Sequence, residues 1–250
     1  MSNSPRNPMT QYIGTATSRI DGIAKVTGAA KYAADYSAPG LLYAWVVNAT
    51  ITKGRIKRID RSAAMRIKGV VEVLAHDNRP PMADKDEAYK DDVAPDGSPF
   101  RPLYDDKVMF NGQPIALVVA ETSEAARYAA SLVKVEYQEE AHVTDLYKQR
   151  NAAHPVRTPA NPFEALFAPP PPRGNADKAL AAAAVRHEGE YYVPIEHHNP
   201  MELYASTVIH EAGGKLTIYD KTQGVQNVHN YVCHIFGMKP EDVRVMGPFK

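Results

Sequence analysis

Hydrophobic and polar positions change period several times along this 250-residue chain, and each change predicts an element. "LLYAWVVNAT" (41–50) is rich in β-branched and aromatic residues and reads as a strand. Upstream, "RIDGIAKVTGAAKYAADY" (19–36) carries Gly22 and Gly28 as turn glycines, behind a polar arm over 1–18. "RSAAMRIKGVVEVLAHDN" (61–78) predicts a short helix closed at Gly69, then a strand from Val70 to Leu74. "GQPIALVVAE" (112–121) has the continuous apolar run of a buried strand. Ser123 is the expected N-cap of a helix over "EAARYAASLV", with Glu124 in its first turn. "VKVEYQEE" (133–140) alternates as a strand, so strand, helix and strand predict a βαβ unit with a right-handed crossover.

The second half of the chain has different spacing. "ADKALAAAA" (176–184) predicts a short helix, and "VRHEGEYYVPIEHH" (185–198) a long strand. "ASTVIHEAGGKLTIYD" (205–220) reads as a hairpin around Gly213-Gly214. "GVQNVHNYVCHIFG" (224–237) sets Val228, Val232, Ile235 and Phe236 on one helical face, with Gly237 as C-cap, and "EDVRVM" (241–246) closes as a strand. The charged stretch from Pro80 to Pro102 lacks a period and reads as a long surface loop. Seven of the residues 151–175 are proline, which predicts an extended polyproline connector, or alternatively an SH3-type ligand. The expected architecture is α+β in two parts, 19–150 and 176–250, joined by the connector at 151–175.

Composition narrows the function classes. Lys+Arg and Asp+Glu are 29 each, so the net charge is zero and binding to nucleic acid by phosphate neutralisation is not expected. The single cysteine, Cys233, excludes an internal disulfide and a cysteine-rich metal site. No apolar run approaches the roughly 18 residues of a membrane span, and the N-terminus lacks a signal-peptide core. Cytoplasmic folding is expected, with co-export to the periplasm on a signal-bearing partner as the alternative.

Candidate chemistry is sparse. No G-x-G-x-x-G or Walker A spacing occurs, which argues against a stand-alone NAD or ATP enzyme. The histidines at 187, 197, 198, 210, 229 and 234 lack the register of a zinc motif and read as surface or core-edge residues. Cys233 reads as a small buried hydrophobe without an activating base. Two polar stretches stand out instead. "IEHHNPMELYASTV" puts Glu196, His198, Asn199 and Glu202 between strand-forming runs, where polar groups either line a site or lie in a solvated loop. In "YDKTQGVQNVHN", Gln223 stands between a strand end and a helix start, where oriented backbone N–H groups favour anionic or oxo ligands. A helix-cap role for Thr222 or Gln223 is the other reading of that stretch.

"RIDGIAKVTGAAKYAADY", "GQPIALVVAET", "AARYAASLVKVEY", "GNADKALAAAA", "EHHNPMEL" and "KLTIYDKTQGVQNV" occur in this order. Together they resemble the molybdenum-cofactor large subunits of the xanthine dehydrogenase/aldehyde oxidase family, from about Arg19 to Phe249. The likeness is strongest to bacterial periplasmic-type aldehyde oxidoreductase large subunits. It implies an a/b hammerhead domain over 19–150 and the incomplete start of a molybdopterin-binding domain over 176–250. It also implies a molybdenum-molybdopterin cofactor for oxidising an aldehyde or N-heterocycle, with iron-sulfur and FAD subunits, or a complementary C-terminal chain, as partners.

By the same resemblance, Gln223 matches the glutamine that hydrogen-bonds the apical oxo ligand of molybdenum. Its amide donates without adding charge or coordinating the metal. His198, Met201 and Glu202 match a site-adjacent H-x-x-M-E-P-like stretch, with Leu203 in place of the proline. The family's glycine-rich cofactor loop and general-base glutamate are expected beyond Lys250, so no catalytic residue is assigned within 1–250. The chain alone is then expected to be inactive: a fragment, one half of a split enzyme, or a non-catalytic partner-binding module.

Overall fold

The computed structural model describes residues 14–90, 99–153, 170, 173–200 and 202–249. The chain divides into two compact units, Met1–Ala141 together with Pro200–Lys250, and His142–Asn199. The first unit contains every strand among the described residues, in three three-stranded sheets.

In the first sheet, β5 (Pro114–Ala120) lies between β1 (Tyr43–Asn48) and β3 (Val70–Ala75), antiparallel to both. Its apolar run is buried as expected: Val118 sits opposite Trp45 on one side and Val73 on the other. Helix α3 (Ser123–Leu132) packs on this sheet through Ala126, Ala129 and Ala130. Its alanines, with Ala64 of α2 (Ser62–Met65), Ala75 and Ala116, let the backbones approach closely around Val73 and Val118. The N-cap of α3 is Thr122 rather than Ser123, because the Thr122 hydroxyl accepts from the Ala125 N–H at 3.1 Å. Glu124 falls in the first turn as expected.

The second sheet runs β4 (Lys107–Val108), β2 (Gly54–Asp60), β6 (Lys134–Glu139), all antiparallel. This corrects the βαβ expectation over 112–140, since β5 and β6 belong to different sheets. Spacing alone does not specify a strand's partner, and the partner of β6 is β2, which the sequence reading missed. A register shift between Ile56 and Arg58 interrupts the two-residue period there and hides the strand. Gly54 is obligatory at its start: φ is +154°, and a Cβ would meet the Gln138 carbonyl oxygen at 2.2 Å. Gly22 is not a turn residue but opens α1 (Gly22–Val26), whereas Gly28 does turn the chain with φ +75°.

The third sheet orders β7 (Ser206–His210), β8 (Leu216–Asp220) and β9 (Val243–Met246). β7 and β8 form the expected hairpin, and β9 joins β8 in parallel. The helix between the parallel strands, α6 (Val225–Phe236), buries Cys233 against Ile218 and Val243. Cys233 thus centres the apolar face, flanked by half-buried Val228 and Val232, while Phe236 is largely exposed. Gly237 ends the helix in the left-handed conformation, as expected.

The unit His142–Asn199 contains α4 (Leu146–Gln149) and α5 (Ala176–Ala182). The strand expected over 185–198 does not form, and Tyr191, Tyr192, Val193 and Ile195 are exposed. A strand needs a hydrogen-bonding neighbour, and among the described residues this unit has none. Most of the proline connector, with residues 154–169, 171 and 172, lies outside the described residues, as do 91–98 of the expected surface loop. The described residues of that loop include a 3-10 turn at Asp86–Tyr89.

Candidate functional site

Strand β8 ends at Asp220, and four residues, Lys221 to Gly224, lead into α6. Local hydrogen bonds shape this turn. The Thr222 N–H donates to the Asp220 carbonyl at 3.0 Å, and the Thr222 hydroxyl accepts from the Gly224 N–H at 3.1 Å. Gly224 is the N-cap and supplies no side chain, so neither Thr222 nor Gln223 caps the helix. The first turn of α6 also lacks an acidic residue, leaving the positive end of a 12-residue helix without a carboxylate of its own. Gln223 is exposed on this turn.

A second strand end meets the turn. Beyond β9, an added Cβ on Gly247 would stand 3.3 Å from the Asp220 carbonyl oxygen and 3.6 Å from Val225 Cγ1. The Gly247 backbone therefore closes against the same turn. The C-terminal ends of two parallel strands and a helix N-terminus converge here. Open α/β sheets place ligands at such a convergence.

Glu202 is half-buried, and its Oε1 accepts from the Ala33 N–H at 3.2 Å. The following residues run beside the turn, since the Lys221 N–H donates to the Ala205 carbonyl at 3.2 Å. The Lys221 ammonium lies 4.4 Å above the Tyr204 ring. His198 is exposed and belongs to the unit His142–Asn199. Met201 lies outside the described residues.

The remaining candidates carry little chemistry. The His229 Nε2 lies 3.0 Å from the Pro240 carbonyl and 3.9 Å from Cys233 Sγ. A carbonyl only accepts, so Nε2 carries the proton and cannot take one from the thiol. Burial pushes the Cys233 thiol above its ordinary pKa, with the Glu241 charge adding to the effect. Both features fit an inert core cysteine. Among the described residues, no three or more His, Cys, Asp or Glu side chains gather to hold a metal ion. No helix among them is long and apolar enough to cross a membrane. A groove of about 700 Å³ between β1, α3 and β6, lined by Trp45, Arg127 and Tyr128 among others, contains none of the predicted site residues.

Comparison with known proteins gives two successive matches along the chain. Residues 27–141 match the aldehyde oxidase and xanthine dehydrogenase a/b hammerhead domain, and residues 157–249 match the molybdopterin cofactor-binding domain. The chain belongs to the xanthine dehydrogenase/aldehyde oxidase family of molybdenum-binding large subunits. Its fold is α+β, a hammerhead domain followed by part of a molybdopterin-binding domain.

Among its relatives, the aldehyde oxidoreductase molybdenum-binding subunit PaoC of Escherichia coli (strain K12) is 32% identical over 249 residues. That alignment covers 97% of this chain and 31% of PaoC. The nicotinate dehydrogenase large molybdopterin subunit of Eubacterium barkeri is 27% identical and is covered over 53% of its length. The structure of aldehyde oxidoreductase from Desulfovibrio gigas superposes with a TM-score of 0.69 at 25% identity, covering 91% of this chain and 26% of that one. The chain thus spans about a third of the length of the first curated relatives it matches.

Proposed function

We propose that this chain forms the hammerhead domain (19–150) and first cofactor-proximal segment (176–250) of a molybdenum-cofactor hydroxylase subunit that oxidises an aldehyde or N-heterocycle. The observation that carries the reading is the position of Gln223, exposed on the turn where β8, the N-terminus of α6 and Gly247 converge. The residues there fit a cofactor with oxo groups: a neutral amide donor and a helix N-terminus without an acidic first turn. When bound, molybdenum-molybdopterin supplies the redox chemistry. Gln223 would donate its side-chain N–H to an oxo group, and the Thr222 hydroxyl would hold the turn that presents it. Glu202 supports the surrounding structure rather than the reacting atoms, and the site-adjacent roles of His198 and Met201 rest on the family resemblance alone. Iron-sulfur and FAD subunits are the proposed electron-accepting partners.

The test is substrate-dependent dye reduction by the chain purified from its host with whatever subunits accompany it. Aldehydes or N-heterocycles should support turnover, and Gln223→Ala should lower it about a hundredfold, as for loss of a transition-state hydrogen-bond donor. Turnover with neither substrate class, or a Gln223→Ala complex as active as wild type, would count against the reading.

A further inference from the structure

Ala33 is buried in a short 3-10 turn, Ala33–Asp35, far in sequence from the third sheet, yet side chains from the 202–207 region engage both of its peptide groups. Its N–H donates to Glu202 Oε1 at 3.2 Å, and its carbonyl accepts from the buried Thr207 hydroxyl at 2.8 Å. Thr207 pairs directly with Tyr219 across β7 and β8, so the two side chains share one face of the sheet. On that face the Tyr36 ring stacks on Tyr219, with centroids 3.4 Å apart and planes 9° apart. Ile218, the intervening position, faces α6 instead. The 3-10 turn is itself braced, since the Tyr32 N–H donates to Asp35 Oδ2 and the Asp35 N–H to the Tyr32 carbonyl. The Tyr32 ring meets Phe249 edge-on at 6.2 Å, two residues beyond Gly247.

We infer that Glu202 is a positioning residue: with Thr207 it clamps the Tyr32–Tyr36 turn onto β7 and β8, and through Tyr219 buttresses the strand end that carries Thr222–Gly224. The third sheet is thereby enclosed between α6 on one face and a segment from the first 36 residues on the other. A buried peptide group left without a partner is costly, which gives each contact leverage over the whole turn. Glu202 acts here as an acceptor only. The inference concerns how the turn is held and stands whatever the turn binds.

Amide hydrogen exchange on the purified full chain tests it. Glu202→Ala should speed exchange of the Ala33 amide about tenfold, the scale of one net hydrogen bond. The Gly224 amide should follow by about twofold to threefold, while amides of β5 stay unchanged. Glu202→Gln keeps an acceptor oxygen and should restore both rates to wild type. Should Glu202→Ala fail to fold, Glu202→Asp shortens the reach by one methylene and must raise Ala33 exchange in the same way. Unchanged Ala33 exchange, failure of the glutamine to rescue, or an effect that never reaches Gly224 would each overturn the assignment.

Discussion

The first two sheets and the third bury their side chains differently, and the difference separates scaffold from site. Around β5 and α3, seven small or β-branched residues form one buried cluster, and Ala49, Ile51, Ile56, Val108 and Ile115 form a second beside it. Among the described residues, the apolar cluster of the third sheet buries Ile218, Cys233 and Val243, ringed by half-buried neighbours, and the sheet's other buried residues, Thr207 and Thr217, are polar. Its other face relies on hydrogen bonds and a tyrosine stack rather than apolar bulk. The dense region is built to hold its shape, whereas the thin sheet presents a turn and leaves Gln223 accessible. Sites drawn from regions of low local stability need a scaffold nearby, and this unit contains both.

The sharpest way to break the dense region is at Gly54. Alanine there combines a backbone clash with an unfavourable φ, and should cost about 4 kcal/mol in denaturant unfolding. By contrast, Gly213 has φ +78° with open space around it, so Gly213→Ala should cost only about 1 kcal/mol. Truncating matched isoleucines compares the two cores directly. Ile115→Ala should destabilise by about 3–4 kcal/mol and Ile218→Ala by about 2, because the thinner cluster collapses more readily around a void.

Smaller effects sharpen the same contrast. Thr122→Ala removes the N-cap of α3 and should cost about 1 kcal/mol, while Ser123→Ala should cost almost nothing. At Asp77, the Arg61 guanidinium donates to the carboxylate and lowers its pKa below the ordinary 3.8. A lowered pKa stabilises the fold above the unfolded-state value, and that contribution fades as pH falls through the folded one. The pair is partly exposed, so Asp77→Asn should cost only about 0.5 kcal/mol at neutral pH. Melting curves of variant and wild type should converge as pH falls through the lowered Asp77 pKa.

Much of the scaffold was legible in the sequence because its signals were local. The buried run at 114–120, the hairpin around Gly213-Gly214 and the Gly237 cap each rest on neighbouring residues. What failed was long-range pairing. The βαβ spacing was read at β5, α3 and β6, whereas the parallel pair with an intervening helix is β8, α6 and β9. "YYVPI" has strand composition but no pairing neighbour among the described residues of its unit.

At the site, the Gln223 turn was visible as a strand end meeting a helix start. The Gly247 approach and the Ala33 clamp were not, since both join residues remote in the chain. Glu202 was legible as a polar residue between strand-forming runs, but its partner was not.

The most direct test of the central claim is the molybdenum and pterin content of the chain purified with its accompanying subunits. Stoichiometric molybdenum and pterin are expected, retained in a Glu202→Gln variant. A fully assembled complex that contains neither molybdenum nor pterin would contradict that claim.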